Sequence, residues 1–238
     1  MIKIIFNEHK SRYGSTRIFH ELKARGIPCT RAKVAEIMND MNLIAKARKK
    51  YKVTTDSNHN KQVAPNLLAQ DFCATEPNQK WVSDITYIPT SEGWLYLCVF
   101  IDLFSRSVIG WSMSSRLKAN LVTDALTMAL LRRKFPNKVI VHSDRGSQYC
   151  SDKYQKLLSV NGLICSMSAK GCCYDNAAME SFFHTLKVEL VHGENYRSKN
   201  EASSSIAYYI EAYYNRKRRH SAINYNIPLV YESFAVAA

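Results

Sequence analysis

The sequence predicts an α/β fold with a mixed five-stranded sheet flanked by helices, preceded by a small all-α region. Three observations carry this. Alternating and near-continuous apolar runs cluster between residues 81 and 115. Helical and strand patterns then take turns up to about residue 191. The first 53 residues show helical periodicity only.

Residues 15–25, "STRIFHELKAR", put Ile18, Leu22 and Arg25 on one helical face, and Gly26 ends that helix. Thr30 is a good N-cap for 31–41, "RAKVAEIMNDM", with an apolar face at Val34, Ile37, Met38 and Met41. Two short helices around a glycine turn resemble a helix-turn-helix, with Arg31 and Lys33 at the start of the second helix, where DNA would be met. The expected organisation is a helix-turn-helix region over 1–53, a linker over 54–72 and a catalytic core over 73–238. "TTDSNHNKQVAPN" (54–66), polar and interrupted by a proline, marks the linker, and the basic run "KARKKYK" (46–52) precedes it.

"WVSDITYIPT" (81–90), "WLYLCVFID" (94–102) and "SVIGWSMSS" (107–115) form an antiparallel meander. A helix over 118–134, a strand over 138–144, a helix over 152–161, a strand over 163–168 and a helix over 176–191 follow. A last helix is expected over roughly 199–219, ending in "YNRKRRH".

Charge narrows the function. The formal net charge is +13, of which residues 1–70 carry +9 (14 Lys and Arg against 5 Asp and Glu). That asymmetry points to a polyanion, nucleic acid before membrane. No apolar run approaches a bilayer span, and no secretory signal opens the chain. Seven cysteines without a CxxC fit a reducing cytoplasm, and no His/Cys spacing suits zinc.

The chemistry lies in three carboxylates. Asp84 lies in the first strand, Asp144 ends the fourth, and Glu180 sits one turn into a helix, with 35 residues between the latter two. If the first and fourth strands are neighbours, Asp84 and Asp144 face each other. Converging carboxylates repel and call for a hard divalent cation, Mg²⁺ above all. Two such ions would clamp an in-line phosphoryl displacement. Taken singly, each carboxylate has a plain structural role open to it: a turn bond, a loop cap or a solvated helix position. Asp102 is a decoy, suited to an ion pair with Arg106 or a turn bond, and Asp175 or Asn176 suits a helix N-cap. His184 and Lys187 share Glu180's face, so Lys187 is expected in the groove as a DNA contact, as is Lys170 in the loop before the helix. Gln148 and Tyr149 either position DNA or brace their loop. Arg216, Arg218 and Arg219 are further phosphate contacts, although the run cannot lie on one helical face.

"WVSDITY", "HSDRGSQY", "CYDNAAMESFF" with "LKVE", and "YNRKRRH" closely resemble the integrase-core transposases of the insertion-sequence-three family, second-reading-frame product. The resemblance spans nearly the whole chain, including "YGSTRI" in the front helical region. It departs at Ala178, where proline is usual, and at "NYNIP" (224–228), where Ser-Pro is usual. The resemblance implies a ribonuclease-H-like integrase core and an Asp-Asp-35-Glu triad. It implies Asp84, Asp144 and Glu180 as catalytic metal ligands for two Mg²⁺, with Mn²⁺ as a substitute. It implies DNA cleavage and strand transfer at element ends and target, a homo-multimer on DNA, and an upstream-frame partner without which this chain is an incomplete transposase. A bacterial cytoplasmic, nucleoid-associated protein is expected. The alternatives are a ribonuclease-H-like nuclease without strand transfer, and a non-catalytic DNA-binding regulator.

Overall fold

The computed structural model describes residues 1–46, 63–169 and 173–236, so most of the basic run, the first part of the linker and Lys170 lie outside the described residues. The contacts divide the chain into two units, one of residues 1–51 with 187–193, the other of 52–186 with 194–238.

The first unit holds α1 (Ile2–Glu8), α2 (Ser15–Ala24) and α3 (Arg31–Asp40). The opening helix was not legible in the sequence pattern, yet Ile5 and Phe6 on it are buried with Tyr13, Ile18, Leu22, Val34 and Met38. Helix α2 ends as expected: Gly26 takes φ +71, and Ile27 N–H closes the turn on the Leu22 carbonyl at 3.0 Å. Thr30 Oγ1 accepts from Lys33 N–H at 3.2 Å and caps α3. Met41 falls beyond that helix and is 43% exposed, so it is not part of the core as its spacing suggested. Glu189, nearly buried, closes this unit. Its carbonyl accepts from Arg12 Nε and Lys46 Nζ, both at 3.0 Å, and its carboxylate lies 3.8 Å from Arg17.

The second unit is built on a sheet of β1 (Lys80–Thr90), β2 (Gly93–Asp102), β3 (Val108–Ser114), β4 (Ile140–Ser143) and β5 (Ile164–Met167), in the order β3-β2-β1-β4-β5. The first three strands pair antiparallel; β1 with β4 and β4 with β5 pair parallel. Parallel neighbours need crossover helices, and α4 (Ala119–Arg132) and α5 (Asp152–Val160) supply them. Their apolar faces, with Leu121, Ala125, Leu126 and Tyr154, close on Trp81, Phe100 and Val141 of the sheet.

Gly110 permits the closest approach. A Cβ there would stand 2.3 Å from the Ala125 carbonyl oxygen and 2.8 Å from Ala129 Cβ. Backbone on both sides leaves no flexible group to yield. Gly110→Ala is expected to cost about 3 kcal/mol, read as a lower urea midpoint with an unchanged slope.

Helices α6 (Ala177–Glu189), α7 (Lys199–Tyr208) and α8 (Pro228–Val236) complete the chain. The long helix expected over 199–219 is shorter. It passes into a π-helical stretch at Tyr209–Tyr214, and the chain turns at 215–217. The Asn215 side chain explains the exit: it bonds both Val108 N–H and the Val108 carbonyl, each at 2.9 Å, fastening the turn to β3. No helix among the described residues is long and apolar enough to cross a membrane. Cys29, Cys73, Cys98, Cys150 and Cys165 form no disulfide among the described residues.

Candidate active site

The parallel register of β1 and β4 pairs Lys80 with Ile140, Trp81 with Val141 and Val82 with His142. Pairing ends there and β4 stops at Ser143, so Asp144 is the first residue after the strand; the same register extended by two residues would bring Asp84 and Asp144 side by side on one face. Each carboxylate takes a nearby backbone amide: Ile85 N–H donates to Asp84 Oδ1 at 2.7 Å and Gly146 N–H to Asp144 Oδ1 at 2.9 Å.

A buried polar triangle lies close to both. Ser83 Oγ and Tyr149 Oη are 2.8 Å apart, and Cys98 Sγ lies 3.6 Å from the first and 3.7 Å from the second. Burial first, with a smaller push from the charges of Asp84 and Asp144, raises the Cys98 thiol to about 12 and the Tyr149 phenol well above its usual range. The two carboxylates therefore act on the same groups. Tyr149 is fully buried and braces the loop after β4; it does not reach DNA. Gln148 Nε2 lies 3.4 Å from the Leu117 carbonyl.

Glu180 is in the first turn of α6. It is exposed, although partial burial of its carboxyl raises its pKa. Among the described residues, no three of His, Cys, Asp and Glu stand close enough to hold a metal ion as they are. Asp84 and Asp144 thus share an influence on Cys98 and Tyr149, and Glu180 is not grouped with them as a third ligand. The donor set remains one of carboxylate oxygens, which suits Mg²⁺, an ion that takes one or two carboxylates and completes its shell with water and phosphate.

His142, paired with Val82 beside this site, is fully buried between two hydroxyls, with Nδ1 2.9 Å from Ser166 Oγ and Nε2 3.1 Å from Ser168 Oγ. Burial lowers its pKa to about 4, so the ring is neutral at pH 7. Asp175 corrects the expectation of an N-cap. It is 2% exposed and accepts from Asn66 Nδ2 at 2.9 Å, Gln70 Nε2 at 2.9 Å and Ala169 N–H at 2.8 Å. Sequence spacing missed this because its partners lie far along the chain. Asp102 is structural as expected, with a different partner: Arg133 lies 3.6 Å away, while Arg106 donates its guanidinium to the Phe72 carbonyl at 3.0 Å.

The cations divide by exposure. Arg31, Lys33 and Arg216 are exposed, and Arg219 is half-buried with its guanidinium on the Tyr225 carbonyl at 3.1 Å. Lys33 pairs with Glu36 at 2.7 Å. Arg218 is 2% exposed, its guanidinium 5.6 Å from the Tyr214 ring centroid, and Lys187 is 6% exposed. Both are buried where open phosphate contacts were expected; the π-helical turn folds Arg218 back onto the tyrosine.

Comparison with known proteins agrees with this architecture. Residues 74–173 and 161–228 match families described as Integrase core domain, and residues 1–51 one described as HTH-like domain. The chain is 55% identical over 216 residues to Transposase InsF for insertion sequence IS3A of Escherichia coli (strain K12), covering 91% of this chain and 75% of the relative. It is 47% identical over 238 residues to the Transposase for insertion sequence element IS904 of Lactococcus lactis subsp. lactis (strain IL1403), covering 98% and 92%. The HTLV-2 integrase catalytic core domain in complex with magnesium (trimeric form) superposes with a TM-score of 0.50 at 15% identity, over 67% of this chain and 99% of that one. The core fold is ribonuclease-H-like, and the chain belongs to the IS3 family of insertion-sequence transposases.

Proposed function

We propose that this transposase cleaves and joins DNA strands through Asp84, Asp144 and Glu180 acting as the ligands of two Mg²⁺ ions. What supports the reading is the β1–β4 register, which, extended two residues past its last pair, would bring Asp84 beside Asp144 where β4 ends. Bound divalent ions supply activation of the attacking oxygen and charge stabilisation at the leaving oxygen. Asp84 and Asp144 offer the hard, anionic oxygens that hold such ions, and their backbone amide bonds fix how the carboxylates are turned. Glu180 completes the set from the first turn of α6.

In the first step a water oxygen forms a bond to the scissile phosphorus as the bond to the 3′ oxygen breaks, leaving a 3′ hydroxyl and a 5′ phosphate. In the second step that 3′ hydroxyl attacks a phosphodiester of the target, loses its proton and displaces the target's own 3′ oxygen. No protein–DNA covalent bond is formed. His142 takes no proton in either step, being buried and neutral with both nitrogens engaged.

Arg31 and Lys33 at the start of α3, the latter shared with Glu36, and Arg216 after the π-helical stretch are among the exposed cations that would meet DNA phosphates. The protein works as a homo-multimer on DNA, since joining two element ends to a target needs more than one site, and an upstream-frame product supplies further end recognition.

The test is strand joining on a branched DNA that mimics an integrated end, with Mg²⁺ or Mn²⁺ and with a chelator. Resealed product that vanishes with the chelator is expected. Cleavage without joining would favour a nuclease. DNA binding without either, even with the upstream-frame product added, would favour a regulator.

A further inference from the structure

The three carboxylates stand on separate elements, and a run of buried and partly buried hydrogen bonds links the residues beside them. Asn176, the residue before α6, donates through Nδ2 to the Ser83 carbonyl at 3.1 Å, one residue from Asp84. Its neighbour Asp175 accepts from Ala169 N–H at 2.8 Å. One residue earlier, the Ser168 carbonyl accepts from Arg145 Nε at 2.7 Å, next to Asp144. The path runs from Asp84 through Ser83, Asn176, Asp175, Ala169, Ser168 and Arg145 to Asp144, and Glu180 lies one helical turn beyond Asn176.

The pair is buried, Asp175 at 2% and Asn176 at 7% exposure, and the Asp175 carboxylate is further tied by Asn66 and Gln70. Asn176 Oδ1 is buried and has no hydrogen-bond partner among the described residues. A buried orphan acceptor costs about 1–3 kcal/mol. The position therefore uses the amide as a donor to one particular carbonyl, that of the strand carrying Asp84.

We propose that Asn176 and Asp175 are positioning residues that fix the first turn of α6, and with it Glu180, relative to Asp84 and Asp144. The inference rests on the triad reading above. Neither residue is a ligand or touches DNA. They set where the third carboxylate stands, which matters because displacement of a reacting group by about 1 Å costs about a hundredfold in rate.

The test titrates the full chain with Mn²⁺ alone, followed by electron paramagnetic resonance, and records melting of each variant. Asn176→Ala is expected to weaken Mn²⁺ binding at least about threefold at temperatures where the variant is fully folded, and Asp175→Asn to do the same. The second variant keeps the side-chain shape but sets an amide donor against one of the donors that the carboxylate accepts from, so it serves if the first fails to fold. If Asn176 acts through Glu180, then Asn176→Ala combined with Glu180→Gln binds Mn²⁺ no more weakly than Glu180→Gln alone. Multiplied losses in the double variant, or parental affinity in both single variants, overturn the positioning role and leave the triad reading intact. Parental affinity in Glu180→Gln, Asp84→Asn and Asp144→Asn, or no Mn²⁺ uptake by the parent, overturns the triad reading and this inference with it.

Discussion

Asp84→Asn and Asp144→Asn are each expected to lower strand joining by about a thousandfold or more, and each to raise the melting temperature of the metal-free protein. The first effect corresponds to about 4 kcal/mol of lost transition-state stabilisation, the scale of charge stabilisation expected from a metal-bearing carboxylate site. The second follows from the register. Asp84 in β1 and Asp144 just after the parallel strand β4 both act on Cys98 and Tyr149, and like charges so placed repel when no metal ion offsets them. Neutralising one relieves about 1 kcal/mol, or about 2–4 °C for a chain of this size. Glu180→Gln loses joining to the same degree without loss of stability, because partial burial already disfavours its charged form. Mg²⁺ should raise the melting temperature of the parent and not of the two Asp variants, by linkage. Calorimetry with and without Mg²⁺, beside the branched-DNA assay, reads all of this. Parental joining by any of the three variants would remove that residue from the triad, and a metal-free Asp variant less stable than the parent would contradict the proximity of the two carboxylates.

Much of this site was legible because its determinants are local or periodic. The apolar runs set the order of strands and helices, and with β1 and β4 as parallel neighbours the register runs toward Asp84 and Asp144. What was not legible depends on distant partners. Asp175 has the composition of a helix cap, and nothing near it in sequence reveals that Asn66 and Gln70 turn it into a buried anchor. Arg218 and Lys187 read as surface cations from their charge, and packing buries both. The last helix read as continuous because periodicity does not register Asn215 gripping β3 from 107 residues away. The opening helix is too short for its apolar pattern to stand out, and it is held by packing against α2 and α3.

Asp102 shows how a strand-end carboxylate without a catalytic partner is used, and removing it is expected to be the most damaging single change to stability. It is fully buried and accepts from Asn78 N–H at 2.9 Å and Phe104 N–H at 3.0 Å, with Arg133 at 3.6 Å. Arg133 also pairs with Glu232. Asp102→Ala strands two backbone donors and leaves a mostly buried guanidinium with one partner instead of two. Losses of about 3–5 kcal/mol accompany the breaking of such pairs. Burial pushes the Asp102 carboxyl up, against the pull of Arg133 and its amide donors. A pKa raised in the folded state contributes stability that is fully present below the unfolded value and declines as pH rises through the folded one. The alanine variant lacks that decline, so the gap between parent and variant should narrow from pH 4 to pH 7. Urea unfolding at both values measures it. A gap that widens with pH would mean that the ion pair with Arg133 outweighs burial, and a gap below about 1 kcal/mol at both values would mean that water reaches the stranded donors.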